Sequence, residues 1–236
     1  MTVHGSVALV TGSNRGFGDK LVRALLDTGA SKVYATARDP KKVTIEGAVP
    51  LALDVTDPDS VRAAAEQAQD VTLLINNAGT DARASVLEGD LADFRNDYET
   101  NVLGTLSVTR QFAPILARNG GGAVLNVLSA VSWLTFPDVA SYTASRAASW
   151  SVTNSLRLAL REQGTLVSAL HVAFMDTDFT SHLPDVPKSD PADVARLALK
   201  ALDEGSHEIL ADEITKQIKS GLSQDLSALY PELAQH

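Results

Sequence analysis

Short β-branched and aliphatic runs alternate with longer segments of helical periodicity along most of the chain. Residues 6–11 (SVALVT), 32–37 (KVYATA), 49–53 (VPLAL), 71–75 (VTLLI), 123–128 (AVLNVL) and 166–172 (LVSALHV) read as strands, with 208–211 (EILA) the core of a seventh. Several of these runs are almost continuously apolar, the mark of strands covered on both faces. Helical patterns fill the intervals. Residues 16–28 carry Leu21, Val22 and Leu25 on one face and stop at Gly29. Residues 57–69 open with an Asp cap and Pro58, a long pattern covers about 91–117, and another runs over 141–163. This alternation predicts an α/β fold: a Rossmann-type, doubly wound parallel sheet of about seven strands with helices on both faces. No linker-like shift in composition divides it, so one domain over residues 1–236 is expected.

Composition narrows the function classes. With 236 residues and 44% apolar side chains, the chain can bury roughly 70% of its unfolded surface. It has no cysteine, which excludes disulfides, thiolate zinc sites and cysteine nucleophiles, and fits a reducing compartment. Twenty Lys and Arg against 29 Asp and Glu give a net charge of -9, which argues against nucleic-acid and anionic-membrane partners. The start MTVHGSVALVTG lacks a basic region followed by an apolar run, so no signal peptide is read and a cytoplasmic location is expected. The longest uncharged stretch, 119–137, contains three consecutive glycines, Asn126, Ser129, Ser132 and Pro137, and reads as a buried strand between loops rather than a membrane span. The five histidines form no ligand spacing, so no metal is expected, and the G-x-S-x-G elbow of many hydrolases is absent.

Between the first strand and first helix stands Thr11-Gly12-Ser13-Asn14-Arg15-Gly16-Phe17-Gly18. Glycines in such a turn let backbone approach a pyrophosphate, while the helix N-terminus offers free N–H groups. No Gly-Lys-Ser/Thr follows, so the loop points to a dinucleotide rather than a triphosphate. NAD enzymes usually place an acid at the end of the second strand for the ribose 2′-hydroxyl. Here Arg38 stands there, and Arg15 lies in the loop. Arginines grip a 2′-phosphate, so NADP(H) is preferred over NAD(H).

With these residues in place, the chain from about 6 to 210 resembles the short-chain dehydrogenase/reductase family. The resemblance rests on TGSNRGFG at 11–18, Asp54, Asn76-Asn77-Ala78-Gly79, Asn101, Ser129 and Tyr142-Thr-Ala-Ser-Arg146, with 13 residues from Ser129 to Tyr142. It implies that Asp54 and Val55 contact the adenine, that Asn77, Ala78 and Gly79 pack on the cofactor, and that the 175–177 segment, with Met175 and Thr177, flanks the nicotinamide. It also implies that Asn101 links to a water chain.

A ketone accepts hydride only as its oxygen takes up a proton, so an acid must stand beside the carbonyl. Tyr142, sharing a helix face with a cation four residues on, supplies it, and Ser129 at a strand end bonds the same oxygen. One departure matters. The family motif is Tyr-x-x-x-Lys, and this chain has Arg146, whose fork is planar and never deprotonated. The first expectation is an NADPH-dependent carbonyl reductase or alcohol dehydrogenase acting on a hydrophobic ketone, aldehyde or secondary alcohol. The alternative is a catalytically weak or inactive NADP-binding regulatory protein.

The pocket should draw on loops beyond strands four to six. Val131, Trp133, Phe174 and Phe179 are its expected lining beside Ser129 and Tyr142, with Asp81, Phe136 and Leu183 as further candidates and a short lid at about 178–190. The Ala- and Ser-rich helix after Tyr142 suits close helix pairing, as in the family's dimers and tetramers, so a homodimer or homotetramer is expected.

Overall fold

The computed structural model describes residues 2–235. Its centre is one seven-stranded sheet built from β1 (Val7–Val10), β2 (Lys32–Ala37), β3 (Val49–Ala52), β4 (Leu73–Asn76), β5 (Ala123–Val127), β6 (Leu166–His171) and β7 (Glu208–Leu210). All strands are parallel, in the order β3-β2-β1-β4-β5-β6-β7. The chain starts in mid-sheet, winds to one edge through β3, then crosses back to place β4 beside β1. That reversal opens a crevice beyond the C-terminal ends of β1 and β4, where doubly wound sheets bind ligands.

Helices cover both faces. On one side α1 (Gly16–Asp27) and α6 (Pro191–Asp203) press Leu21, Leu25, Val194 and Leu199 onto Ala8, Val10 and Ile75 of the sheet. On the other, α2 (Pro58–Gln67), α4 (Thr105–Arg118) and α5 (Ala140–Ala159) bring Val61, Phe112, Leu116 and Leu156 against Leu9, Leu74 and Val124. Each of these side chains is buried, so the central strands are apolar on both faces, as their unbroken hydrophobic runs require.

Three features differ from the sequence reading. The long pattern at 91–117 is not one α-helix. It is α3 (Leu91–Tyr98), a π-helical turn (Glu99–Gly104) and α4. At the end of the π turn Gly104 lies close on Val55, where a Cβ would come within 2.8 Å of that side chain. Two helices were not read: α6, opened by Asp190 and Pro191, and α7 (Glu213–Gly221), capped by Asp212, which accepts from the Thr215 amide at 2.7 Å. The fourth expected helix ends at Ala159 rather than residue 163; β2 keeps its expected bounds, β4 runs from Leu73 to Asn76, and the other strands lose one residue at one or both ends.

Phe112 is wholly buried where α4 meets the sheet. Phe112→Ala should cost about 3–5 kcal/mol, read as a lowered urea midpoint with an unchanged slope.

Candidate active site

The glycine turn closes tightly on itself. A Cβ on Gly18 would lie 2.3 Å from the Gly12 carbonyl oxygen, so no larger residue fits as α1 begins. Ser13 is buried, its hydroxyl donating to the Val10 and Thr36 carbonyls at 3.2 Å. Asn77, just after β4, donates from Nδ2 to the Thr11 and Gly12 carbonyls at 3.0 Å, while the Asn77 and Ala78 amides both donate to the Thr11 hydroxyl at 2.9 Å. The 77–79 segment and the glycine turn are therefore one rigid unit.

The N-terminus of α1 fits a pyrophosphate. Helices α2, α3, α6 and α7 begin with an aspartate whose carboxylate accepts a first-turn amide. At α1 the capping position is Arg15, which supplies no side-chain acceptor. Its first-turn N–H groups thus carry no side-chain cap, and the acid of that turn, Asp19, pairs with Arg23 and Lys20 instead.

Arg38 lies exposed at the end of β2 and forms no ion pair among the described residues. Its neighbour Asp39 accepts from the Lys41 amide at 3.1 Å, capping its own turn. Arg15 instead reaches toward Asp178, at 4.0 Å and well exposed. Asp54 accepts from the Thr56 amide and hydroxyl, and Val55 packs against Gly104 of the π turn.

Tyr142 and Arg146 lie one turn apart on α5, and the guanidinium carbon sits 4.9 Å from the Tyr142 ring centroid. Arg146 is only 7% exposed. It donates from Nη1 to the Val127 carbonyl at 3.2 Å, its Nε has no protein partner, and its Nη2 would lie 2.4 Å from a Cβ on Gly79. The absence of a side chain at Gly79 is what admits the guanidinium. Ser129, at the end of β5, donates to the Val172 carbonyl at 3.2 Å and accepts from Val131 at 3.3 Å, both long bonds that leave the hydroxyl free to turn.

Asn101 lies in the π turn, not in an α-helix. It exchanges bonds of 2.9 Å with both backbone groups of Thr80 and donates to the Ser145 hydroxyl at 2.9 Å. Its own carbonyl accepts from Ser149 at 3.0 Å.

Beyond β6, the Met175 strand bridge to Ser189 closes the base of the segment that follows, and the Thr177 amide donates to Met175 at 2.9 Å. Phe179, 41% exposed, stands 5.7 Å from the Tyr142 ring. Val131 and Phe174 are half-buried near the same end of the sheet, and so is Leu183. Asp81 is half-buried and 3.6 Å from Arg83, which bonds His182 at 2.6 Å and so joins the two loops. Phe136 lies exposed ahead of α5.

Trp133 does not face this group. It is 9% exposed, stacked on His171 at 3.9 Å and edge-on to Trp150 at 6.1 Å, with Lys219 of α7 over its ring at 4.4 Å. The unread α7 is the reason: it gives the indole something to pack on.

Among the buried polar residues the sequence does not single out are two titratable ones, His171 and Asp97. His171 is 0% exposed, and its Nδ1 faces the Ser129 carbonyl at 3.1 Å, so Nδ1 carries the proton. Burial pushes its pKa down to about 4, against the pull of that carbonyl. Asp97 is also 0% exposed, one turn before Asn101. The spacing Phe94, Asp97, Asn101, Gly104, Val108 was its signal, since it sets Asp97 on the inward face.

Residues 6–187 match the short chain dehydrogenase family. Among solved structures, a short chain dehydrogenase from Burkholderia cenocepacia in complex with NADP is 37% identical, covers 100% of both chains and superposes with a TM-score of 0.94. The uncharacterized oxidoreductase YusZ of Bacillus subtilis is 31% identical over 79% of this chain and 72% of its own length. The NADPH-dependent 1-acyldihydroxyacetone phosphate reductase of Schizosaccharomyces pombe is 34% identical over 73% of this chain and 61% of its own. The chain belongs to the short-chain dehydrogenase/reductase family and is an NAD(P)-dependent oxidoreductase.

His171 makes a pH signature. Its folded pKa lies below the ordinary value of 6.5, so the stability it leaves intact is fully present above that value and is lost as pH falls toward about 4. About 3 kcal/mol should go across that window. Unfolding midpoints measured from pH 7 to 4 should fall less steeply in His171→Gln than in the natural chain.

Proposed function

We propose that the chain is an NADPH-dependent carbonyl reductase for hydrophobic ketones or aldehydes, reversible on secondary alcohols. The observation that carries this reading is the meeting of Tyr142, Arg146 and Gly79 at the end of the crevice, with Ser129 on the adjoining strand end. Bound NADPH supplies the hydride. Tyr142 Oη gives its proton to the carbonyl oxygen as the new C–H bond forms, and Ser129 Oγ turns from Val172 to the same oxygen. Arg146 takes the place of the family lysine. Its charge stabilises the phenolate left on Tyr142 and offers N–H donors to the ribose hydroxyls, while Asn101 holds the 80–84 loop and connects to the proton supply.

The glycine turn of 12–18, with the α1 amides, holds the pyrophosphate. Asp54 and Val55 bound the adenine, and Asn77, Ala78, Gly79, Met175 and Thr177 line the nicotinamide end. Arg38 selects NADPH by gripping the 2′-phosphate, with Arg15 adding charge once it leaves Asp178. The 178–190 segment serves as a lid within a single domain, with Phe179, Phe174 and Val131 giving the pocket its apolar lining. Trp133 supports that wall from behind. A cytoplasmic enzyme fits the cysteine-free chain, and exposed Tyr98 and Leu103 beside a groove of about 340 Å³ along α3 and α5 suit pairing with a second copy.

A second reading, NADP binding without turnover, rests on Arg146 standing where the family motif has a lysine, because a guanidinium does not give up its proton. Following NADPH consumption over a panel of aromatic and aliphatic ketones decides between them. Tyr142→Phe should lower kcat by about 10²–10⁴-fold with cofactor affinity kept; equal activity in the two proteins would sink the reductase reading. Arg38→Asp should weaken NADPH binding by about 10–100-fold and leave NADH nearly unaffected in a fluorescence titration. A parallel loss for both cofactors would remove Arg38 from the 2′-phosphate.

A further inference from the structure

Asp97 is wholly buried although its neighbours Asn96 and Tyr98 are exposed. Its two carboxylate oxygens accept from the Ala82 amide at 3.0 and 3.2 Å, and Ser141 of α5 stands close enough to favour the charged carboxylate. Ser141 Oγ accepts from the Ala84 amide at 3.2 Å, and the Ser141 amide donates to the Ala84 carbonyl at 3.2 Å. Asn101 repeats the pattern one turn later with Thr80 and Ser145. Residues 80, 82 and 84 are thus each tied down from below, and the two serines that complete the ties sit one turn apart on α5. Tyr142 and Arg146 are the residues that follow them.

A buried carboxylate is costly to desolvate, and an aliphatic side chain would pack α3 onto α5 without that cost. The charged groups acting on it are Asp81, in the loop it holds, and Arg146, across on α5. Burial pushes its carboxyl above the ordinary range, opposed by Ser141, by the bonds from Ala82 and by the Arg146 charge. Asp97 reaches the site only through other residues.

We propose that Asp97 is a positioning residue: its ionised carboxylate locks the 80–84 loop onto the first turn of α5 and so fixes the height of Tyr142 and Arg146 beside Gly79. The proposal rests on the reductase reading. It gives rate an acidic limb, because protonation turns an acceptor oxygen into a hydroxyl facing the Ala82 N–H.

The test is steady-state kinetics against pH for the full chain, Asp97→Asn and Ser141→Ala. Asp97→Asn should lower kcat about tenfold with both KM values within about twofold, and should flatten the acidic limb. Ser141→Ala, which keeps the charge and removes one link, should give a smaller loss of the same kind and keeps the question open to test if the first variant does not fold. A loss shared by KM, or wild-type kcat with the limb retained, would overturn the proposal. If the natural chain reduces no carbonyl, the reductase reading fails by itself, and Asp97 is then judged by amide exchange. Faster exchange at 82–84 and in the first turn of α5 in the folded variant supports the lock, and unchanged exchange there overturns it.

Discussion

The structure depends on how α5 is seated along its own axis. Apolar packing against a sheet resists separation but tolerates sliding, because one aliphatic contact resembles the next. Hydrogen bonds do not slide. Asn76 at the end of β4 donates to Asn126 of β5 at 2.8 Å, and Asn126 donates to Thr153 of α5 at 2.9 Å. Ser149 and Ser145 engage Asn101, and Ser141 engages both backbone groups of Ala84. These pairs fall at successive turns of one helix face, and all are buried, where an unmet partner is most expensive. With that register set, Arg146, beneath the Tyr142 ring, meets Gly79, and the 77–79 segment carries the same register to the glycine turn through Asn77 and Thr11.

The excess of acids acquires a meaning in this setting. Aspartates cap α2, α3, α6 and α7, and Asp97 ties a loop, so many of the negative charges are spent on backbone amides. Where α1 meets the crevice there is no such acid, and Arg15 and Arg38 stand nearby in sequence and topology. A net charge of -9 therefore leaves room for individual cations such as Arg15 and Arg38 near the glycine turn, and where charges stand matters more than their sum.

The sheet was legible because its central strands, buried on both faces, leave nearly continuous apolar runs, and the glycine turn because its chemistry is local. Tyr142, Ser129 and Asn101 were legible as an ordered set. The π turn was not, since one extra residue per turn leaves the apolar spacing at 91–117 nearly intact. Helix α6 carried its Asp190-Pro191 signature in plain view, between a lid reading that ended and a strand reading that began. Trp133 misled because an aromatic near a pocket and an aromatic under one look alike until α7 is in place. Asp97 and His171 share a different cause: a polar residue on a buried face shows its partners only once distant segments are brought together.

Arg146, bonded to the Val127 carbonyl and lying over the Tyr142 ring, stands where the family motif has a lysine. A crystal structure of the chain soaked with NADPH tests most directly whether it can serve there. If the reductase reading holds, nicotinamide lies beside Tyr142 and Ser129, with the Arg146 guanidinium bonded to the ribose hydroxyls. A nicotinamide ring excluded from that place, with Arg146 still on the Val127 carbonyl, would contradict it.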